Sequence, residues 1–116
     1  MDFLDLEFKA LVVRLILDGM AEKALELLAK HYNANLPKIR VGLPKSRRRN
    51  ALGCYRAKDE TISVLDSDTL KDPSVVLHEF YHHLRTSHVD MRHKGTEKYA
   101  TEFAKEFIKA YKSTEP

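Results

Sequence analysis

The chain has 116 residues, of which 43% are hydrophobic and 32% charged, and its formal net charge is +3 at pH 7. Such a composition belongs to one folded globular domain: it is too apolar for a disordered segment, and the length leaves no room for a second core. A lone cysteine, Cys54, excludes an internal disulfide and any zinc site built on paired thiolates.

No apolar run approaches the roughly 20 residues that cross a bilayer, and the densest, Leu11 to Leu17, is interrupted by Arg14. The start at Met1-Asp2 lacks the basic stretch and small-residue cleavage site of a secretory leader. A cytoplasmic chain without a membrane span is therefore expected. Charge is unevenly placed along it. Eight of the 20 basic residues (Lys38, Arg40, Lys45, Arg47, Arg48, Arg49, Arg56 and Lys58) fall in residues 37–58, which contain no acid, so twelve basic residues face 17 acidic ones in the remainder.

Apolar side chains at Leu4, Phe8, Leu11, Val12, Leu15 and Ile16 recur every three or four residues, which predicts an amphipathic helix over 3–17, ended by Asp18-Gly19. A second helix is predicted from Met20 to Tyr32 on Ala24, Leu25, Leu27, Leu28 and Tyr32, with Asn33 to Asn35 as its polar exit. The period then changes. After Pro37, Lys38-Ile39-Arg40-Val41 alternates as a half-buried strand does, until Gly42 and Pro44 stop it, and Lys45 to Asn50 reads as a basic loop. Residues 51–56 and 61–65 read as two strands joined in a hairpin through Ala57 to Glu60. Gly53 predicts either a bulge or another backbone passing close by, and Cys54 beside it reads as a small buried strand residue. In a peptidase that backbone would be substrate, added to the sheet edge at Leu52, Gly53 and Cys54.

Asp66 to Thr69 reads as a turn, Asp72 as an N-cap and Pro73 as the first residue of a third helix. Residues 86–95 are polar, aperiodic and closed by Gly95. The last helix, from Thr96 to Lys112, gathers Ala100, Phe103, Ala104, Phe107, Ile108 and Tyr111 in one arc, and a mobile tail is expected from Ser113. The expected fold is thus α+β in one domain: two N-terminal helices, a small, mostly antiparallel three-stranded sheet, a motif helix and a C-terminal helix.

The third helix carries His78-Glu79-Phe80-Tyr81-His82. Histidines four residues apart leave the same face of a helix one turn apart and can grip one metal ion. Glu79 points to the side of that face, poorly set to ligate but well set to take a proton from metal-activated water. A catalytic zinc takes three protein ligands and keeps one position for water, so a third ligand must come from further along. His88 has the spacing of the third histidine in the metzincin pattern His-Glu-x-x-His-x-x-Gly-x-x-His, but Arg85 stands where that pattern has its glycine, and a side chain is strained at the positive φ required there. In the last helix, Glu97 lies roughly 50° from the centre of the apolar arc and Glu102 roughly 170° away, so Glu97 is the acid that faces inward. A first-turn acid is also what the helix dipole favours with no ligand present.

Glu97-Lys98-Tyr99-Ala100-Thr101-Glu102-Phe103-Ala104 resembles the Glu-x-x-Ala-Asp-x-x-Ala segment of gluzincin peptidases. With its order of elements, the chain is similar to the minigluzincins, soluble archaeal proteins that resemble the catalytic domains of HtpX-like membrane peptidases. That resemblance implies a minimal zincin-like metallopeptidase domain over 1–116, with His78, His82 and Glu97 on Zn2+ and Glu79 as general base for endopeptidase cleavage of a peptide or protein substrate. It also implies latency, through a terminal segment lying across the cleft, Tyr111 to Pro116 or Met1 to Asp5. Thr101 stands where the family commonly has an aspartate that accepts a hydrogen bond from a zinc-binding imidazole; a hydroxyl accepts the same bond without adding charge.

Tyr55, Tyr99 and His93 are unranked choices for a second electrophile, and His83 reads as a surface or half-buried neighbour turned about 100° from His82. Two rival readings stand beside the enzyme. One is a nucleic-acid-binding module on residues 37–58, with Arg47, Arg48 and Arg49 against phosphates. The other is a zinc-binding protein-interaction module of weak or no activity.

Overall fold

The computed structural model describes residues 3–44, 51–86 and 96–114. In chain order these form α1 (Phe3–Leu17), α2 (Ala21–Tyr32), β1 (Lys38–Val41), β2 (Gly53–Arg56), β3 (Thr61–Val64), a 3-10 turn (Thr69–Lys71), α3 (Pro73–Thr86) and α4 (Thr96–Thr114). Among the described residues the architecture is α+β, four α-helices with one small mixed sheet. The Lys45 to Asn50 loop, His88 and His93 lie outside the described residues.

Helix boundaries have local causes. At the end of α1, the N–H groups of Gly19 and Met20 reach back to the carbonyls of Ile16 and Leu15; at the end of α2, those of Asn33 and Ala34 reach Lys30 and Ala29 in the same pattern. Gly19 (φ 82°) and Asn33 (φ 54°) are left-handed, a conformation that glycine and asparagine tolerate best. Asp72 Oδ1 accepts from the Ser74 N–H and hydroxyl at 3.0 and 2.7 Å. Pro73 follows at the first helical position, where a missing N–H loses nothing. The acidic turn continues into the 3-10 turn because Asp66 Oδ1 accepts both the N–H and the hydroxyl of Thr69, at 2.8 and 2.6 Å.

The strand order is β1-β3-β2, with β1 parallel and β2 antiparallel to β3. This corrects the expectation of a mostly antiparallel sheet. Alternation of apolar and polar residues identifies a strand but carries no information on its neighbour's direction. Here the chain passes from β1 to the far edge before the hairpin brings it back to the middle. Ile39, Ile62 and Tyr55 lie in one register row and Val41, Val64 and Gly53 in the next row on the same face. Lys38, Arg40 and Arg56 therefore alternate onto the opposite face.

α3 is the central helix. Its Val76, Leu77 and Phe80 have no exposure and share one apolar cluster with Val12 and Ile16 of α1, Leu25 and Leu28 of α2, Ile62 and Val64 of β3, and Phe107 of α4. Burying each such side chain contributes about 1.5–3 kcal/mol, so this cluster fixes α3 against α4. Ser113 and Thr114 continue α4 rather than starting a tail, and their hydroxyls donate to the carbonyls of Ala110 and Tyr111. Tyr111, the first residue of one of the two segments considered for covering the cleft, is partly buried against the core cluster. Met1, Asp2, Glu115 and Pro116 lie outside the described residues. No described helix is long and apolar enough to cross a membrane.

Candidate metal centre

α3 is covered around most of its circumference. Val75, Val76, Leu77, Glu79, Phe80, Tyr81, His83 and Leu84 are buried, and the row that stays partly open runs Ser74, His78, His82, Arg85. His78 and His82 stand with ring centroids 5.1 Å apart. Their side chains retain 21% and 19% exposure, so the pair is half-buried, as its position beside the core face requires.

α4 brings the third group. Ala100 and Ala104 bury the face that Glu97 shares at helical spacing, and this turns the carboxylate toward α3. Glu97 Oε2 lies 3.1 Å from His78 Nε2, and Oε1 lies 2.7 Å from His82 Nε2. Glu97 remains 76% exposed, so it closes the site from the solvent side and does not enter the core. Burial pulls the pKa of His82 down and nearby His78 adds to this, against the opposing effect of Glu97; the net direction is down. Burial acts to raise the Glu97 carboxyl, but its hydrogen bond to His78 and the charge of His82 outweigh that and hold it below the ordinary value. A neutral imidazole and an ionised carboxylate are the forms that a cation binds.

The donor set fits zinc. One ligand atom from each of His78, His82 and Glu97 lies within 4.8 Å of the other two, and two imidazole nitrogens with one carboxylate oxygen form a known catalytic zinc set. Zinc bonds of about 2.0–2.1 Å in tetrahedral geometry require donors roughly 3.3 Å apart, so the 2.7 and 3.1 Å contacts would open slightly and any wider separation within the 4.8 Å cluster would close.

Glu79 does not join that set. It is buried on the neighbouring row of α3, against β2: a Cβ on Gly53 would sit 2.8 Å from Val75 Cγ1, 3.3 Å from Glu79 Cγ and 3.3 Å from the Ser63 carbonyl. The close neighbour of Gly53 is thus the motif helix together with the adjacent strand, and neither a bulge nor a bound peptide is needed to account for this glycine. Leu52 is exposed, Cys54 is half-buried rather than buried, and β2, which follows Leu52, is an edge strand.

The remaining assignments divide. Thr101 is exposed and donates its hydroxyl to the Glu97 carbonyl at 2.9 Å, so its proton serves its own helix. Tyr99 is exposed. Tyr55 bonds not toward the histidine pair but to His83 Nδ1, at 2.7 Å. His83 itself corrects the expectation of a surface or half-buried residue, since it has no exposure at all. The available signal was its place four residues after Glu79, on the same row; rotation from His82 alone does not say what covers that row. Comparison with protein-family models, with curated proteins and with solved structures finds no match.

Proposed function

We propose that this chain is a zinc-dependent metalloendopeptidase of the gluzincin type, resembling the minigluzincins, with His78, His82 and Glu97 holding the metal and Glu79 as general base. One observation carries the reading: a carboxylate from α4 converges on both histidines of α3, at 3.1 and 2.7 Å. The motif on α3 does not by itself require an acid from another helix at that point.

When bound, zinc supplies Lewis-acid polarisation of the scissile carbonyl and makes water more acidic. The chain supplies the rest. Glu79 takes a proton from the attacking water and returns it to the leaving amine. It is buried against β2 and stands outside the three-residue cluster, which suits a base rather than a fourth ligand. An extended peptide added along Leu52 to Cys54 would pass beside it.

Metal analysis tests the reading directly. One zinc per chain is expected for the wild type and none for His82→Ala, together with cleavage of an unstructured protein by the zinc-loaded wild type. A wild-type chain that takes up no zinc sinks the proposal. Cytoplasmic location and latency belong to the same reading, and cleavage that does not rise when either terminus is trimmed would remove the latency.

A second reading has one observation in its favour. Lys38, Arg40 and Arg56 are exposed on the sheet face away from α3, which gathers part of the basic segment into a surface suited to phosphates. Arg56 is already paired with Asp59, which weakens that surface. DNA binding that falls steeply with salt would support it.

A further inference from the structure

His83 has a bonding pattern that neither the metal site nor the core explains. Its ring is fully buried and its two nitrogens meet two other segments. Nε2 lies 2.7 Å from the backbone carbonyl of Asn35, between α2 and β1, and Nδ1 lies 2.7 Å from the Tyr55 hydroxyl on β2. A carbonyl can only accept. In the neutral ring the proton therefore sits on Nε2, and Nδ1 accepts from the Tyr55 O–H.

Helical spacing gives this bond its place. Val75, Glu79 and His83 are successive steps of four along one row of α3, and Gly53 and Tyr55 are two residues apart on one face of β2. The rows meet at both ends. At one end Val75 and Glu79 fit where Gly53 has no side chain; at the other, His83 accepts the Tyr55 proton. Among the described residues β2 has a strand neighbour on one side only, so its position over α3 is held by the β3 ladder and these two fastenings. Asn35 extends the chain of bonds, its side chain donating at 3.3 Å to Glu60 in the β2–β3 turn.

We propose that His83 is a positioning residue that, through Tyr55, latches the edge strand β2 onto α3 and sets the distance between that edge and Glu79. The latch rests on the peptidase reading only for its consequence, which is where a peptide backbone lies relative to the general base. It also removes Tyr55 from the choices for second electrophile, because the tyrosine proton is already engaged.

Three variants of the full chain test it: Tyr55→Phe keeps the ring and loses the hydroxyl, His83→Gln keeps one donor and one acceptor, and His83→Leu keeps neither. Amide hydrogen exchange on the zinc-loaded protein should quicken in β2 by about tenfold in Tyr55→Phe and His83→Leu, and by less in His83→Gln, with α1 and α4 unchanged. Nitrogen NMR of the wild type should find the His83 proton on Nε2. In the cleavage assay, Tyr55→Phe should lower kcat/KM on the order of 10- to 100-fold while one zinc stays bound, and His83→Gln should recover part of the loss seen in His83→Leu. Unchanged β2 exchange in Tyr55→Phe, exchange quickened evenly over the whole chain, or a wild-type ring protonated only on Nδ1 would each overturn the latch. Should neither the zinc-loaded wild type nor a terminally trimmed chain cleave, the peptidase reading fails while the exchange comparison still decides the latch.

Discussion

Two adjacent rows of α3 carry histidine, and they meet opposite surroundings. On the open row, His78 and His82 keep part of their surface in solvent and face one carboxylate. On the buried row, His83 lies between a hydroxyl and a backbone carbonyl, and Glu79 is enclosed against β2. The partner atoms therefore decide the role, since the residue type is the same. An acid partner at the surface makes a cluster that a cation can enter, because an exposed pair of this kind is worth only about 0.2–1 kcal/mol. Neutral partners in a dry position instead fix one tautomer and one orientation.

The largest expected effect breaks the comparison on its buried side. Glu79→Ala should lower kcat of the zinc-loaded protein on the order of 10²- to 10⁴-fold, the usual contribution of a general base, and leave zinc stoichiometry at one. Cleavage within tenfold of wild type would move the base to another residue. Next comes Gly53→Ala, which tests how tightly the buried row packs. The added Cβ meets a branched Val75 and the Ser63 backbone, so urea unfolding should show a loss of about 1–3 kcal/mol. A variant as stable as the wild type would mean that β2 can lift from α3.

Much of this contrast was legible in the sequence, and the reason is range. Gly19, Asn33 and Asp72 act within a few residues, so both helix stops and the α3 start could be read from local chemistry. The His78–His82 pair needs only helical spacing, and Glu97 needs only its angle from an apolar arc. Other features depend on pairings between distant segments. The parallel β1–β3 ladder, the cover that β2 lays over Gly53's side of α3, and the burial of His83 all follow from where one strand comes to rest on a helix. Thr101 shows a different limit. Its position in the gluzincin-like segment assigns its oxygen an accepting role but says nothing of its proton, which a threonine hydroxyl within a helix readily donates to the carbonyl four residues back, as this one does.

The open side predicts a smaller change in stability. Replacing both His78 and His82 with alanine should cost the metal-free protein about 1 kcal/mol, since their pairs reach an exposed carboxylate and the half-buried rings give up only part of a packed surface. Zinc at a hundredfold excess over its dissociation constant should add about 2.7 kcal/mol to the wild type and nothing to that variant. Equal stabilisation of the two proteins in thermal or urea unfolding would place the metal elsewhere.

The smallest effect is a pH dependence, and the open row gives its own share a definite sign. Glu97 and His82 both have folded pKa values below their ordinary ones. In each case the unfolded chain holds the proton more tightly, so stability is lost as the solution becomes more acidic. The Glu97 contribution is complete above its unfolded value of about 4.3 and fades as pH falls through the lower folded value. The His82 contribution is complete above about 6.5 and fades below that, through its own depressed value. Proton NMR of the metal-free protein should therefore show the His82 ring titrating below about 6.5. Because the Glu97 charge raises this group, Glu97→Gln should move the midpoint lower still. A midpoint that rises in Glu97→Gln would mean that the carboxylate does not face His82, and the three-ligand cluster would lose its acid.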